Sequence, residues 1–343
     1  MSERRFLVVG CGSIGKRHIR NLLDLGAGHV LAFDARDDRR DEAAALGAEA
    51  MRDIDAAWAA SPDTVVVATP PSSHVPVALD AARRGCNLFV EKPLADGWEG
   101  MDEFLAEVRA RNLVCLVGCN LRFHPGLLEV RRLLDEDAIG TVLGARIEFG
   151  QYLPDWHPWE DYRETYSARR SLGGGVILDA IHELDYATWL LGAVSTVTAL
   201  AGHISDLEID TEDMAAILLR FDSGAIGEVH LDYVQRAYSR SCRIYGEEGS
   251  LEWDFRTGVR VYSAATGEWR HHPLPEDWDP NYMYVEELRH LLRCLAGSER
   301  PTLDAEGAAE VLRIALAARA SAAIGRTVDP RAPAAVRPLS SPL

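Results

Sequence analysis

The sequence is almost without lysine: Lys16 and Lys92 are the only two, and every other basic side chain is arginine. A bias toward arginine and alanine is what a GC-rich genome produces, so the scarcity itself is mutational. A position that keeps lysine nonetheless marks a place where a compact, titratable ammonium serves and a guanidinium does not. Lys16 is read as chance survival and Lys92 as a candidate for chemistry. Positive charge is short overall, with 36 basic against 53 acidic side chains and a net charge of −17. That argues against a nucleic-acid partner, which needs a basic surface, but not against one small anion held by local arginines. No run of eighteen apolar residues occurs, and Met1–Arg5 leads straight into a strand rather than into a leader's apolar region. Membrane insertion and export are therefore not expected, and a cytoplasmic location is. The six cysteines (Cys11, Cys86, Cys115, Cys119, Cys242 and Cys294) form no CxxC pair and adjoin no histidine cluster. They read as reduced structural thiols, and no metal site is expected.

At 343 residues the chain exceeds one ordinary core, and about two domains are expected. Its start is the most informative stretch. Phe6–Val9 is an apolar run of the buried parallel-strand kind, and it enters Gly10-Cys11-Gly12-Ser13-Ile14-Gly15, followed by a helical pattern from Lys16 to Leu25. A glycine-rich GxGxxG between a strand and a helix is the context of a dinucleotide fingerprint, with phosphates on the helix N-terminus. The next strand, His29–Phe33, ends at Asp34, about twenty residues beyond the fingerprint, where a carboxylate takes the adenosine ribose hydroxyls. NAD is favoured over NADP on that ground, although Arg36, Arg39 and Arg40 leave a 2′-phosphate possible to accommodate.

The βα alternation continues. A strand at Thr64–Ala68 ends in Thr69-Pro70-Pro71-Ser72-Ser73-His74, a helix over 74–84 follows, and a strand at Asn87–Val90 ends in Glu91-Lys92-Pro93. A helix over 97–110 leads to a strand at Leu113–Val117 and then Gly118-Cys119-Asn120. Repeated βα units with short connections predict a parallel, doubly wound sheet whose ligand lies at the carboxyl ends of the strands. From Val194 to His271, short β-rich runs such as Met214–Phe221, Ala225–Val234 and Ser241–Tyr245 alternate with turns, a meander signature. Helices near Pro280–Leu295 and Ala305–Ala323 precede a tail from Val328 that is expected to be loose.

With Glu91-Lys92-Pro93 in view, the chain resembles the Gfo/Idh/MocA family, the glucose–fructose oxidoreductase and inositol dehydrogenase group. The resemblance rests on the fingerprint, Thr69-Pro70-Pro71 with His74, the Glu-Lys-Pro turn, Asn120-Leu121-Arg122-Phe123, and Gly173-Gly174-Gly175 with Asp179, His182 and Asp185. It implies a Rossmann domain (1–122), then an α+β domain with a large, mostly antiparallel open sheet (123–327) through which dimers or tetramers assemble. It implies an NAD(P)-dependent oxidoreductase of a sugar, sugar derivative or inositol. Cofactor contacts are then expected from Gly10, Gly12, Ser13, Ile14, Gly15, Asp34, Arg36, Thr69, Pro70, His74, Glu91, Lys92 and Asn120. Two rivals stay open: an enzyme that keeps and recycles its NAD in place, and a non-catalytic NAD(H)-sensing protein.

Oxidising a secondary alcohol needs a base for the hydroxyl proton and polar groups that fix the other hydroxyls. Lys92 can stabilise a developing alkoxide; the alternative is a structural lysine paired with Glu91. Val176–Leu191 reads as one apolar helix with Asp179 and His182 on a shared face. An imidazole's reference pKa of about 6.5 makes His182 the natural proton acceptor, and Asp179 is placed to orient it or to take a substrate hydroxyl. The bland alternative is a solvated polar helix side. The spacing departs from the family's usual one, with Ala180 and Ile181 standing where three residues are usual, so a shifted helix start or a bulge is expected. The segment Gln151–Arg170 carries Tyr152, Trp156, His157, Trp159, Tyr162 and Arg163. It reads either as a substrate loop, with Trp156, Arg163 and Arg122 on the ligand, or as domain packing. Arg163, Arg169 and Arg170 together point to an anionic substrate.

Overall fold

A computed structural model describes residues 4–336. In chain order its elements are β1 (Arg5–Val9), α1 (Ser13–Asp24), β2 (His29–Phe33), α2 (Asp37–Ala45), β3 (Glu49–Ala50), α3 (Ile54–Ala59), β4 (Thr64–Val67), α4 (His74–Arg83), β5 (Asn87–Glu91), α5 (Met101–Ala110), β6 (Cys115–Gly118), α6 (Pro125–Asp135) and β7 (Val142–Gly150). There follow α7 (Val176–Asp179), α8 (His182–Leu191), β8 (Val194–Gly202), β9 (Met214–Phe221), β10 (Ile226–Asp232), β11 (Ser239–Gly246), β12 (Gly249–Asp254), β13 (Gly258–Ser263), β14 (Glu268–Pro273), α9 (Asn281–Leu295) and α10 (Ala305–Ile324). The chain divides into two compact units. One takes in the chain up to Asn120 together with Pro280–Ala309; the other holds Leu121–Asp279 and the chain from Glu310.

The first unit is built on a six-stranded sheet of order β3-β2-β1-β4-β5-β6, parallel at every pairing. Its central strands are unbroken apolar runs because a parallel sheet is covered on both faces and has no wet side to pattern for. Strand order reverses between β1 and β4, and at such a switch point ligands find a crevice outside the carboxyl ends. The core joins Phe6, Val8, Ile19, Leu22, Val30, Val66, Phe89 and Leu116 to Leu288 and Leu291 of α9. Helix α9 thus belongs to this unit, although the sequence reading put it with the second. The helix read over 97–110 starts only at Met101, because Gly100 sits in the left-handed region at φ 72°.

The second unit carries an eight-stranded sheet of order β14-β13-β12-β11-β7-β10-β9-β8. Its pairings are antiparallel except β7 with β10. Along β9, Ala215, Ile217, Leu219 and Phe221 are buried while Ala216, Leu218 and Arg220 face out, the period-two pattern of a sheet covered on one side. Helices α6, α7 and α8 pack against these strands. The single helix expected over Val176–Leu191 is instead two, α7 and α8, separated at Ala180, whose ψ of 32° leaves the helical region. Of the tail read as loose, Val328 pairs with Val197 and Ala335 is buried; residues 337–343 lie outside those described.

Candidate active site

At the carboxyl edge of the first sheet, the fingerprint is shaped by contacts its own backbone makes. Gly10 has φ +94°, and a Cβ on Gly15 would lie 1.9 Å from the Gly10 carbonyl oxygen, so α1 can approach β1 only without a side chain there. A Cβ on Gly12 would meet nothing nearer than the Arg39 guanidinium at 3.6 Å, and α1 begins at Ser13 with no side-chain cap on its first-turn N–H groups. An uncapped helix N-terminus with open space above it suits an anion. Asp34 is buried at the end of β2. Its Oδ2 accepts the Cys11 N–H at 2.8 Å and its Oδ1 the Arg36 N–H at 2.9 Å. The neighbouring arginines are engaged by acids: Arg36 with Asp38, Arg40 with Asp37, and Arg39 with Asp34 itself at 3.7 Å. Burial, with Asp34 beside it, pushes the Cys11 thiol up to about 12, so it is inert packing.

Two neighbouring strand-end turns complete this edge. The Thr69 hydroxyl is buried with no hydrogen-bond partner among the described residues, which leaves it open to a water or a ligand group. These features fit the phosphates and adenosine ribose of a dinucleotide. His74, placed by the sequence among the cofactor contacts, is fully buried between the carbonyl oxygens of Thr69 (Nε2, 2.8 Å) and Pro93 (Nδ1, 2.7 Å). It stands between the two turns, and because burial lowers its pKa the neutral ring donates to one of the two carbonyls. Lys92 follows β5 and is half-buried, joined to Pro93 by a cis peptide bond. Glu91, also expected at the cofactor, is buried, with Oε1 2.6 Å from His18 Nε2 and Oε2 accepting the Lys92 N–H at 3.2 Å. Pro70 and Asn120 stand at the ends of β4 and β6 on the same edge.

In the second unit the break between α7 and α8 leaves Asp179 as the last residue of α7 and His182 at the first helical position of α8. Asp179 is buried and accepts hydrogen bonds from the hydroxyls of Tyr166, Ser167 (2.6 Å) and Tyr233 (3.1 Å). Burial, with the Asp179 carboxylate beside it, holds the Tyr233 hydroxyl well above its usual pKa, so it stays a donor. The glycines before α7 are required by close approach. A Cβ on Gly174 would lie 2.2 Å from the Tyr166 carbonyl oxygen, and Gly175, at φ +106°, abuts the Glu212 carboxylate that pairs with Arg319.

Every polar residue in the first turn of α8 is buried, which excludes the solvated helix face. Asp185 holds Arg122 through Nε at 3.0 Å and Nη2 at 2.7 Å, and Glu183 meets Arg240 Nε at 2.8 Å. The buried, bidentate Arg122–Asp185 pair, with the half-buried Arg240 beside Glu183, thus restrains the rotation of the helix that carries His182. Arg122, expected on substrate, is held bidentately by Asp185. Trp156 packs edge-on against Phe149 and Tyr233 and donates to the Gln151 carbonyl. Arg163 is exposed and bridges Asp161 and Glu208, Arg169 donates to the Arg163 carbonyl, and Arg170 to that of Asp210. The sequence reading missed His18, Tyr166, Ser167, Glu183, Glu212, Tyr233, Arg240 and Arg319, whose partners in these contacts lie from 12 to 107 positions away. Among the described residues, no group of three or more His, Cys, Asp or Glu is placed to hold a metal ion.

Comparison with known proteins adds an independent finding. Residues 4–119 match the oxidoreductase family's NAD-binding Rossmann fold, and residues 127–252 match the GFO/IDH/MocA C-terminal domain. The chain is 30% identical over 305 residues to inositol 2-dehydrogenase 2 of Saccharopolyspora erythraea, covering 85% of each chain. It is 28% identical over 344 residues to scyllo-inositol 2-dehydrogenase (NAD(+)) of Bacillus subtilis strain 168, covering 95% of this chain and 96% of that one. GenD2 from gentamicin A biosynthesis, solved in complex with NAD, aligns at 28% identity and a TM-score of 0.81 over 96% of this chain and 97% of that one. The chain belongs to the Gfo/Idh/MocA family and is an NAD-dependent oxidoreductase acting on CH–OH groups.

Proposed function

We propose that this protein moves a hydride between NAD and a ring secondary alcohol of an inositol or sugar-like polyol, with Lys92 and His182 as the groups that handle the alcohol's oxygen and proton. The observation that carries the reading is the restraint of His182 at the start of α8 by the buried Arg122–Asp185 pair and by Arg240 beside the buried Glu183, a rigidity that a merely solvated helix does not need. The inositol dehydrogenases among the relatives point to the substrate class.

Gly12, Ser13 and Ile14 would receive the phosphates of NAD on the first turn of α1, Asp34 the adenosine ribose, and Thr69 a further polar group. When bound there, NAD would supply the hydride acceptor. The Lys92 ammonium donates a hydrogen bond to the substrate oxygen and stabilises the negative charge that develops there. The His182 imidazole takes the hydroxyl proton. Asp179, locked by three hydroxyls, holds the end of α7 and with it the point where α8 starts. NAD is preferred over NADP because the Asp34 carboxylate repels a 2′-phosphate while Arg36 and Arg40 already face aspartates. Because Arg163, Arg169 and Arg170 each serve an acid or a carbonyl, the reading favours a neutral polyol over an anion. The outward sheet face, with Leu200, Leu218, Ile226 and Tyr245 exposed, would be covered by a second copy of the chain. Six buried thiols accord with a reducing compartment, the cytoplasm.

The test is absorbance at 340 nm with purified protein, inositols, sugars and sugar acids, and NAD and NADP in parallel. Net NADH formation with a neutral polyol is expected. Tightly held NAD with no net change on any substrate would favour in-place recycling instead, and binding without any turnover would favour a sensor.

A further inference from the structure

His18 lies on α1, fully buried, and its Nε2 stands 2.6 Å from Glu91 Oε1 at the end of β5. Glu91 is itself buried, and its other oxygen accepts the backbone N–H of Lys92 at 3.2 Å. The imidazole is packed edge-on against Phe89 at 4.9 Å and against Tyr284 of α9 at 6.4 Å, and the Arg17 guanidinium lies 4.3 Å from the centre of the Tyr284 ring. Its Nδ1 is buried with no hydrogen-bond partner among the described residues. One donated bond is therefore the ring's polar contribution, and that bond goes to the residue preceding Lys92. From the other side, His74 Nδ1 lies 2.7 Å from the Pro93 carbonyl oxygen. All of these residues belong to the first unit.

We infer that His18 is a positioning residue for Lys92: by holding the Glu91 carboxylate it fixes the turn on which the ammonium stands. Helix α1 carries the fingerprint at its start and His18 in its second turn, so one rigid element sets both the dinucleotide cradle and the lysine. A displacement of about 1 Å in such a group is worth up to about 100-fold in rate. The inference rests on the proposed role of Lys92 in turnover.

The near absence of lysine supplies the experiment. Full-length, cofactor-free protein grown with ¹³C-lysine gives signals from two side chains only, Lys16 and Lys92, assigned with Lys16→Arg. In His18→Leu the Lys92 Cε signal and its pH titration should depart from wild type while Lys16 stays in place; His18→Gln, whose amide reaches as far as Nε2, should restore it. Where His18→Leu does not fold, His18→Asn replaces it, because its shorter amide cannot reach Glu91. In parallel, kcat should fall about 10- to 100-fold in the Leu or Asn variant, with KM little changed, and His18→Gln should keep most of it. Folded variants with an unmoved Lys92 signal and undiminished kcat would overturn the inference. Lys92→Met, assayed alongside, separates the two readings. If it turns over normally, the role of Lys92 fails while the spectroscopic result still decides the positioning.

Discussion

Lowering the pH should weaken the second unit through one buried ring, His124. Its Nδ1 accepts the Gly126 N–H at 3.0 Å, capping α6, and the Trp253 indole N–H at 3.3 Å, while Nε2 donates to the Phe255 carbonyl at 3.1 Å. A second proton would sit on Nδ1, facing two donors, inside a box of Trp253, Phe255 and Trp278. Burial is the main cause that pushes its pKa down from 6.5 to about 4; Arg240 adds to it, and the Phe255 carbonyl and Asp254 oppose it. Because the folded pKa lies below the unfolded one, the contribution is fully present above about pH 6.5 and is lost as pH falls toward about 4. From about pH 7.5 to about pH 5 it amounts to about 2 kcal/mol, approaching about 3 kcal/mol below both pKa values. Urea denaturation followed by tryptophan fluorescence across this range, on wild type and His124→Asn, isolates it. The asparagine oxygen can still cap α6, and its lost ring packing is the same at every pH. Wild type should lose about 2 kcal/mol more than the variant. Parallel pH dependences would refute the reasoning.

Other consequences follow from the same geometry. Asp34→Ala should weaken NAD binding about 10-fold or more, the worth of hydrogen bonds to a charged acceptor, and narrow the preference over NADP, as read by calorimetric titration of both. Asp185→Leu leaves Arg122 buried without its carboxylate and should destabilise the protein by about 3–5 kcal/mol. Adding Arg122→Leu to that variant should return part of the loss in denaturant titrations, and strict additivity would refute the coupling.

The first unit was largely legible in the sequence because its signals are local. Phe6–Val9, His29–Phe33 and Thr64–Ala68 are largely apolar runs that end directly in Gly10, Asp34 and Thr69, so strand and ligand edge are read together. Lys92 stood out by composition before any motif was considered. What escaped is non-local. Membership of α9 in the first unit depends on Leu288 and Leu291 reaching a core whose other residues lie between Phe6 and Leu116. The Asp179 lock needs Tyr233, 54 positions away, and the His18–Glu91 pair spans 73. The shortened spacing between Asp179 and His182 did signal a shifted helix start or a bulge. Only the structure shows that the helix divides there and that Asp179 faces hydroxyls of the loop before it.

The most direct test of the account is turnover by Lys92→Met and His182→Asn on the best polyol found, set beside the NAD dissociation constant of each variant. The account predicts kcat lower by about 100- to 10,000-fold in His182→Asn, the usual worth of a positioned acid–base group. It predicts a loss of similar order in Lys92→Met, with NAD affinity close to wild type in both. Near-normal turnover in either variant, or a loss that follows NAD binding alone, would contradict it.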